Sequence, residues 1–244
     1  LKYKYRLLSW LTLLMLWIIL FFVIDHRLIL PSPIDVLLAL GRLAGEGSSF
    51  AIMGLTLIRL LISVLASAFL GIALGLISGI KKKASEWIHP YITLFRTIPI
   101  LSIIVILIII LGYQVAPYVI TFFIVFPIIY QATEDGILNI DISLVDAYRL
   151  EEHHLKIAVK ELYLPLIKPY IVLSLLQSFG LGLKVLVMAE FLAQTKTSMG
   201  EALYLAKTNL NYDQVFAWTI ILILISVIFE SLITSYRKRM LELT

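Results

Sequence analysis

Residues 50–80 read FAIMGLTLIRLLISVLASAFLGIALGLISGI. The stretch carries one charged residue, Arg59. A helix needs about 20 mostly apolar residues to cross the hydrocarbon core of a bilayer, and this run exceeds that. Ser63, Ser67, Gly71, Gly75 and Gly79 recur every fourth residue within it. Residues at that spacing share one helix face, and small side chains there let a second helix approach closely in lipid. The approaching helix could belong to the same chain or to another subunit.

Five further segments have the same character, at about 7–24, 98–112, 115–133, 165–193 and 214–236. The Gly112-Tyr113-Gln114 turn and Pro117 separate the third from the fourth. The reading is an all-α membrane protein of about six transmembrane helices, forming one domain over residues 1–244, with an extramembrane loop at 134–164. Composition agrees. The chain is 61% hydrophobic and 15% charged, against about 45–50% and about 25% for soluble domains. Its mean hydropathy is +0.99. The N-terminal stretch Leu7 to Ile24 is too long for the apolar core of a signal peptide, and Asp25-His26-Arg27 follows it instead of a small-residue cleavage site. It reads as a retained first span.

Lysine and arginine fix the expected orientation. With the N-terminus in the cytoplasm, the inner side holds Lys2, Lys4, Arg6, Lys81, Lys82, Lys83, Arg149, Lys156, Lys160, Lys168, Arg237, Lys238 and Arg239. The outer side holds Arg27, Arg42, Lys196 and Lys207, so the count is thirteen against four. Both termini are expected on the cytoplasmic side of the membrane. The net charge of +4 is explained by this asymmetry, and nucleic acid is not an expected partner. With no cysteine, disulfides and thiolate chemistry are excluded. His153 and His154 are adjacent and lack metal-pair spacing, and no nucleophile elbow or zinc motif occurs. No metal site, cofactor or catalytic residue is expected in the chain.

The loop 134–164 is amphipathic. Asp141 and Ser143 offer helix-start chemistry, and Val145, Leu150, Leu155, Ile157 and Val159 alternate with Arg149, Glu151, Glu152, Lys156 and Lys160. A short helix along the membrane face fits this pattern. Asp146-Ala147-Tyr148 followed by Leu162-Tyr163-Leu164-Pro165 resembles the EAA loop of bacterial ABC-importer permeases. The family pattern is Glu-Ala-Ala, three residues, Gly, nine residues, then Ile-x-Leu-Pro. Asp146 stands for the Glu, and Glu152 occupies the Gly position, so the turn expected there could be replaced by continuous helix. Pro31-Ser32-Pro33, Thr56-Leu57-x-Arg59 with Gly71, Gly75 and Gly79, Pro90, Arg96-Thr97-Ile98-Pro99, Phe126-Pro127 and Ala189-Glu190 resemble the nitrate/sulfonate/taurine-type subgroup in the same order. The resemblance covers roughly residues 30 to 237.

That resemblance implies a type I ABC-importer permease, working as a homodimer with a pair of nucleotide-binding subunits and an extracytoplasmic binding protein. Pairing with a sister permease is the other possible arrangement. Asp146, Ala147, Tyr148, Arg149, Glu151, Glu152, Leu162, Leu164 and Pro165 are the implied ATPase-coupling residues. No phosphate-loop motif occurs in this chain, so ATP and Mg would be held by the partner. The implied substrates are nitrate, sulfonates, taurine, bicarbonate or thiamine-related pyrimidines. A stand-alone secondary transporter or channel is the alternative, although no internal repeat supports it.

Ionisable groups inside spans are costly and face protein or water. Arg59 and Arg96 lie near span starts and are expected to snorkel. Lys184 sits deep in the fifth span; it either lines the path toward an anion or pairs with Glu190 or Glu134. Lys184, Glu190, Arg96 and Gln177 are the candidate path residues. Gly180 and Gly182 either allow close packing or break the helix beside a substrate.

Overall fold

The computed structural model describes residues 2–24, 26, 29–151 and 154–241, and every regular element among them is helical. The elements are α1 (Lys2–Ile24), α2 (Pro33–Gly45), α3 (Gly47–Ile80), α4 (Lys82–Thr97), α5 (Ile100–Leu138), α6 (Ile142–Glu151), α7 (Leu155–Ala158), α8 (Leu164–Ala193), α9 (Met199–Thr208) and α10 (Tyr212–Leu241). By length and composition, four stretches could each cross a membrane: Gly47–Ile80, Ile100–Leu138, Leu155–Ala193 and Tyr212–Leu232. Leu11–Ile24 is a shorter apolar helix. Of the basic residues that set the expected orientation, Arg27 and the side chains of Lys2, Lys4, Arg6, Arg237, Lys238 and Arg239 lie outside the described set.

The small-residue stripe of α3 faces α5 of the same chain. A Cβ on Gly71 would sit 3.0 Å from the Ile129 Cβ, one on Gly75 2.7 Å from the Thr133 Cβ and one on Gly79 2.7 Å from the Ile137 Cβ. The Ser63 hydroxyl donates to the Tyr118 carbonyl at 3.1 Å, and that of Ser67 to the Phe122 carbonyl at 3.3 Å. Contact positions rise together along both helices, so α3 and this part of α5 run parallel.

Two segments read separately from sequence, 98–112 and 115–133, occupy α5, but α5 is not straight. Gly112 has φ 74° and ψ 168°, a conformation essentially reserved for glycine. Ile104 from before this point and Ala116 and Ile120 from after it share one buried cluster with Val185 and Ala189. The chain therefore folds back at Gly112, and α5 is two arms. The first arm, 100–111, is only about 18 Å long. Its extension is α4, which ends at Thr97 because Ile98 precedes Pro99 and is forced extended (φ −64°, ψ 131°). Phe95 on α4 packs against Phe123 and Phe126 of the second arm, with ring centroids at 4.9 and 6.2 Å. Hence α4 and the first arm together form one leg antiparallel to the second arm.

Pro31-Ser32-Pro33 starts α2. The Ser32 Oγ accepts the Asp35 N–H at 3.1 Å, while an Asp35 carboxylate oxygen accepts the Ser32 N–H at 3.2 Å. This is a capping box with a proline in the first turn. Its inner face, Val36, Ala39 and Leu43, joins the main core with Leu60, Val64, Leu183, Leu186 and Trp218. Arg42 on α2 and Asp213 on α10 pair at 2.7 Å, and Trp17 of α1 stacks on Phe216 of α10.

Candidate functional site

The end of the bundle that carries residues 134–164 is built around α6. The Asp141 carbonyl accepts the Leu144 and Val145 N–H groups, so Asp141 is the N-cap. Its Oδ1 also accepts the Ser143 hydroxyl at 2.7 Å and backbone N–H at 2.9 Å. These two bonds hold the Asp141 carboxyl below its ordinary range, the hydroxyl bond contributing most. α6 presents two faces. Val145 and Tyr148 turn inward onto Ile137, Leu162, Tyr163 and Ile167, with Leu76 and Ile80 alongside. The Tyr148 hydroxyl donates to Glu161 at 3.1 Å. Ile142, Leu144 and Leu150 turn outward and are 75%, 45% and 83% exposed, and Asp146 and Ala147 are exposed as well. The side chains of Arg149 and Glu151, and all of Glu152, lie outside the described residues.

The helix does not run on through this region. α6 ends at Glu151, and His154 is extended (φ −89°, ψ 112°) before α7 begins. The alternative of continuous helix is thereby corrected. Although Glu152 replaces the glycine, the helix is interrupted at or before His154, whose β-region backbone suits any residue. α7 leads into a π turn, Val159–Tyr163, and then into α8. Pro165 has no N–H to give to residue 161 and would crowd that carbonyl in an α-helix. The wider turn opens the backbone just ahead of it. Leu162 is buried, Leu164 half-buried and Pro165 exposed.

At the opposite end of α8, Glu190 is fully buried. It pairs with the Arg59 Nη1 at 3.2 Å, accepts the Thr56 hydroxyl at 3.1 Å and accepts the Gly200 N–H at 3.4 Å. Arg59 also donates to the carbonyls of Lys196 and Thr197, each at 3.1 Å. Thr56 accepts the Met199 N–H at 3.0 Å, and Thr195 donates to the Tyr113 carbonyl at 2.7 Å. One cluster thus ties α3, the start of the second arm of α5, α8 and the first turn of α9 together. Gly200 lies so close to the Phe191 backbone nitrogen and to Glu190 that a Cβ there has no room. Two expectations are corrected here. Arg59 is 7% exposed and does not snorkel, since a buried carboxylate and two loop carbonyls satisfy its guanidinium. Glu190 does not line an open path, since its carboxylate is enclosed in that cluster.

Lys184 lies between these two ends, exposed. It borders a groove of about 500 Å³ between α8 and α10, lined also by Gln177, Ser226, Glu230 and Thr234. It borders a second, mainly apolar groove of about 560 Å³ with Val187, Phe191 and Leu222. Neither expected ion pair forms: Glu190 is taken by Arg59, and Glu134 accepts the Ser85 hydroxyl at 2.6 Å. Arg96 is exposed and donates to the Gln131 side chain. It does not share the groove with Lys184 and Gln177. α8 stays helical across Gly180 and Gly182. A Cβ on Gly182 would meet Leu60 at 3.0 Å, whereas Gly180 faces open space. The helix-break reading fails, and close packing holds for Gly182 alone.

Sequence reasoning missed the Arg59–Glu190 pair and the groove residues Ser226, Glu230 and Thr234. Arg59 and Glu190 each stood out as a charge within a span, but 131 residues separate them and no local spacing links them.

Comparison with known proteins gives a consistent picture. Residues 71–242 match the family model described as binding-protein-dependent transport system inner membrane component. The chain is 24% identical over 215 residues to a putative aliphatic sulfonates transport permease protein, SsuC, of Bacillus subtilis, covering 88% of this chain and 78% of that one. It is 23% identical to a probable ABC transporter permease protein of Brucella melitensis, covering 88% and 87%. Among solved structures it is similar to the inward-facing MetNI methionine ABC transporter. There the TM-score is 0.63 at 16% identity, over 80% of this chain and 98% of the matched one.

Proposed function

Because the chain belongs to the binding-protein-dependent transport inner-membrane components and is the permease of an ABC importer, not itself catalytic, we propose how it spans the membrane, couples and selects. Six crossings account for the helices: α1, α3, the leg made of α4 and the first arm of α5, the second arm of α5, α8 and α10. With both termini cytoplasmic, α6 lies on the inner face and the Arg59–Glu190 cluster near the outer one. Two copies pair in a type I arrangement around the path, and residues 1–244 act as one permease domain. The ATPase partner holds ATP and Mg, and the binding protein delivers substrate from outside.

One observation carries the coupling. The inner face of α6 is embedded in side chains from α3, α5 and the start of α8, while Ile142, Leu144 and Leu150 on its outer face are exposed. A push on Asp146, Ala147, Leu144 and Leu150 reaches three spans at once, because packed helices shift as units. Leu162, Leu164 and Pro165 form the joint to α8. Co-expression of this chain with its ATPase subunit tests it. Leu150→Asp should abolish co-purification and leave the permease folded; an intact complex would remove α6 from the coupling role.

For the substrate, a small anion is the reading. It is supported by Lys184, an ammonium without an ion-pair partner among the described residues, and by the sulfonate named for the Bacillus subtilis relative. Nitrate, taurine, bicarbonate and thiamine-related pyrimidines are the other candidates. Lys184 and Gln177 would meet the substrate in the α8–α10 groove. Uptake by Lys184→Met in proteoliposomes with ATPase and binding protein tests this, and wild-type uptake would take Lys184 out of the path.

A further inference from the structure

The leg that begins at α4 carries a gradient of chemistry on its free side. Lys81, Lys82 and Lys83 are consecutive and exposed, with no ion-pair partner among the described residues. Glu86 is the acidic side chain nearest in sequence, and His89 is the other titratable group on this half of the helix. On the packed side, Glu134 is buried, accepts the Ser85 hydroxyl and makes no ion pair with these lysines among the described residues. Ile88 and Ile92 are buried against Phe126 and Tyr130, which fixes the outward face of α4.

That outward face reads Lys83, Trp87, Tyr91, at steps of four residues, and then Leu94. Trp87, Tyr91 and Leu94 are 70%, 51% and 52% exposed, and the two rings lie 5.5 Å apart. At about 1.5 Å per residue, the stripe passes from ammonium to amphipathic ring to aliphatic side chain within roughly 17 Å. An anionic phospholipid has the same order: phosphodiester, glycerol-ester zone, acyl chain. Trp and Tyr favour the middle zone of a bilayer, and lysines at its border attract acidic headgroups.

We propose that α4 and the preceding Lys81 form a binding site for an anionic phospholipid. The headgroup phosphate sits on Lys81–Lys83, the ester region lies over the Trp87–Tyr91 pair, and an acyl chain runs along Leu94. The assignment of this lipid to the inner leaflet rests on the proposed topology; the binding itself does not.

The full-length chain in neutral detergent would be titrated with phosphatidylglycerol and, separately, phosphatidylcholine of the same acyl chains, with retained lipid read by native mass spectrometry. Phosphatidylglycerol should bind more tightly. Replacing Lys81, Lys82 and Lys83 together by Gln should weaken it by on the order of 100-fold, about fivefold per lysine, and replacing them by Arg should restore it. Trp87→Ala with Tyr91→Ala should weaken both lipids alike. Equal binding of the two lipids, or an unchanged phosphatidylglycerol affinity in the Gln variant, would overturn the site. So would competition by millimolar inorganic phosphate without any dependence on acyl chains, which would make it a free-anion site. If the Gln variant kept its lipid and lost a co-purifying ATPase subunit, the patch would belong to that protein. A reversed topology would show separately, in labelling of Lys82→Cys from the outside of intact cells, and would leave the lipid result standing.

Discussion

Arg59→Ala is the sharpest test of how the Glu190 end of the bundle is held. In the wild type the Glu190 carboxylate has no exposed surface and one cationic partner, at 3.2 Å. Removing the guanidinium leaves a buried carboxylate with only the Thr56 hydroxyl and Gly200 N–H, and it orphans the Lys196 and Thr197 carbonyls. Breaking one side of a buried pair costs about 3–5 kcal/mol. For a chain of this size a kcal/mol corresponds to about 2–4 °C in Tm, so a fall of roughly 6–20 °C is expected. Thermal unfolding in detergent, followed by tryptophan fluorescence, would measure it. Arg59→Met combined with Glu190→Met should recover much of the loss, because two apolar side chains of similar bulk leave no unpaired charge. A drop below about 2 °C in the single variant, or a double variant as unstable as the sum of the two singles, would refute the reasoning.

Gly75→Val should be destabilising by about 1–3 kcal/mol, since its Cβ position is 2.7 Å from both the Thr133 Cβ and the Tyr130 carbonyl; size-exclusion profiles after heating would report it. Gly112→Ala meets no neighbour, yet it forces a side chain onto φ 74° and should cost about 1–3 kcal/mol in the same assay. The Asp141 carboxyl, held low by Ser143, strengthens the start of α6 above the ordinary carboxylate range. That contribution is lost as pH falls through the lowered value, so amide protection in residues 142–146 should fall at acid pH, and Ser143→Ala should move the onset to higher pH.

Much of this fold was legible because a bilayer leaves a chain few choices. Long apolar runs must be helices, and a four-residue beat of Ser and Gly must meet another helix. The helix-start chemistry at Asp141 is a local set of hydrogen bonds, readable over three residues. The hidden features were non-local or compensatory. Most of α4 fell outside the segment read at 98–112, because its apolar residues Ile88 and Ile92 count only once they are seen facing Phe126 and Tyr130. Arg59 looked like a boundary residue because its partner lies in another span. Glu152 suggested a continuous helix, yet the extended backbone of His154 interrupts it. Lys184 was visible as an oddity and Gln177 as a polar neighbour on the same helix. Ser226 and Glu230 across the groove were not, since a face shared by two helices has no sequence signature.

The π turn at Val159–Tyr163 also sets the angle of everything beyond it. Each residue added to or removed from a helix rotates the remainder of the rod by about 100°. Deleting one residue here would turn α7, which buries no residue of its own, by that angle relative to the packed α8 and its Glu190 end. The junction beside Pro165 therefore acts as the indexing step of a screw, setting the azimuth at which α7 meets α8.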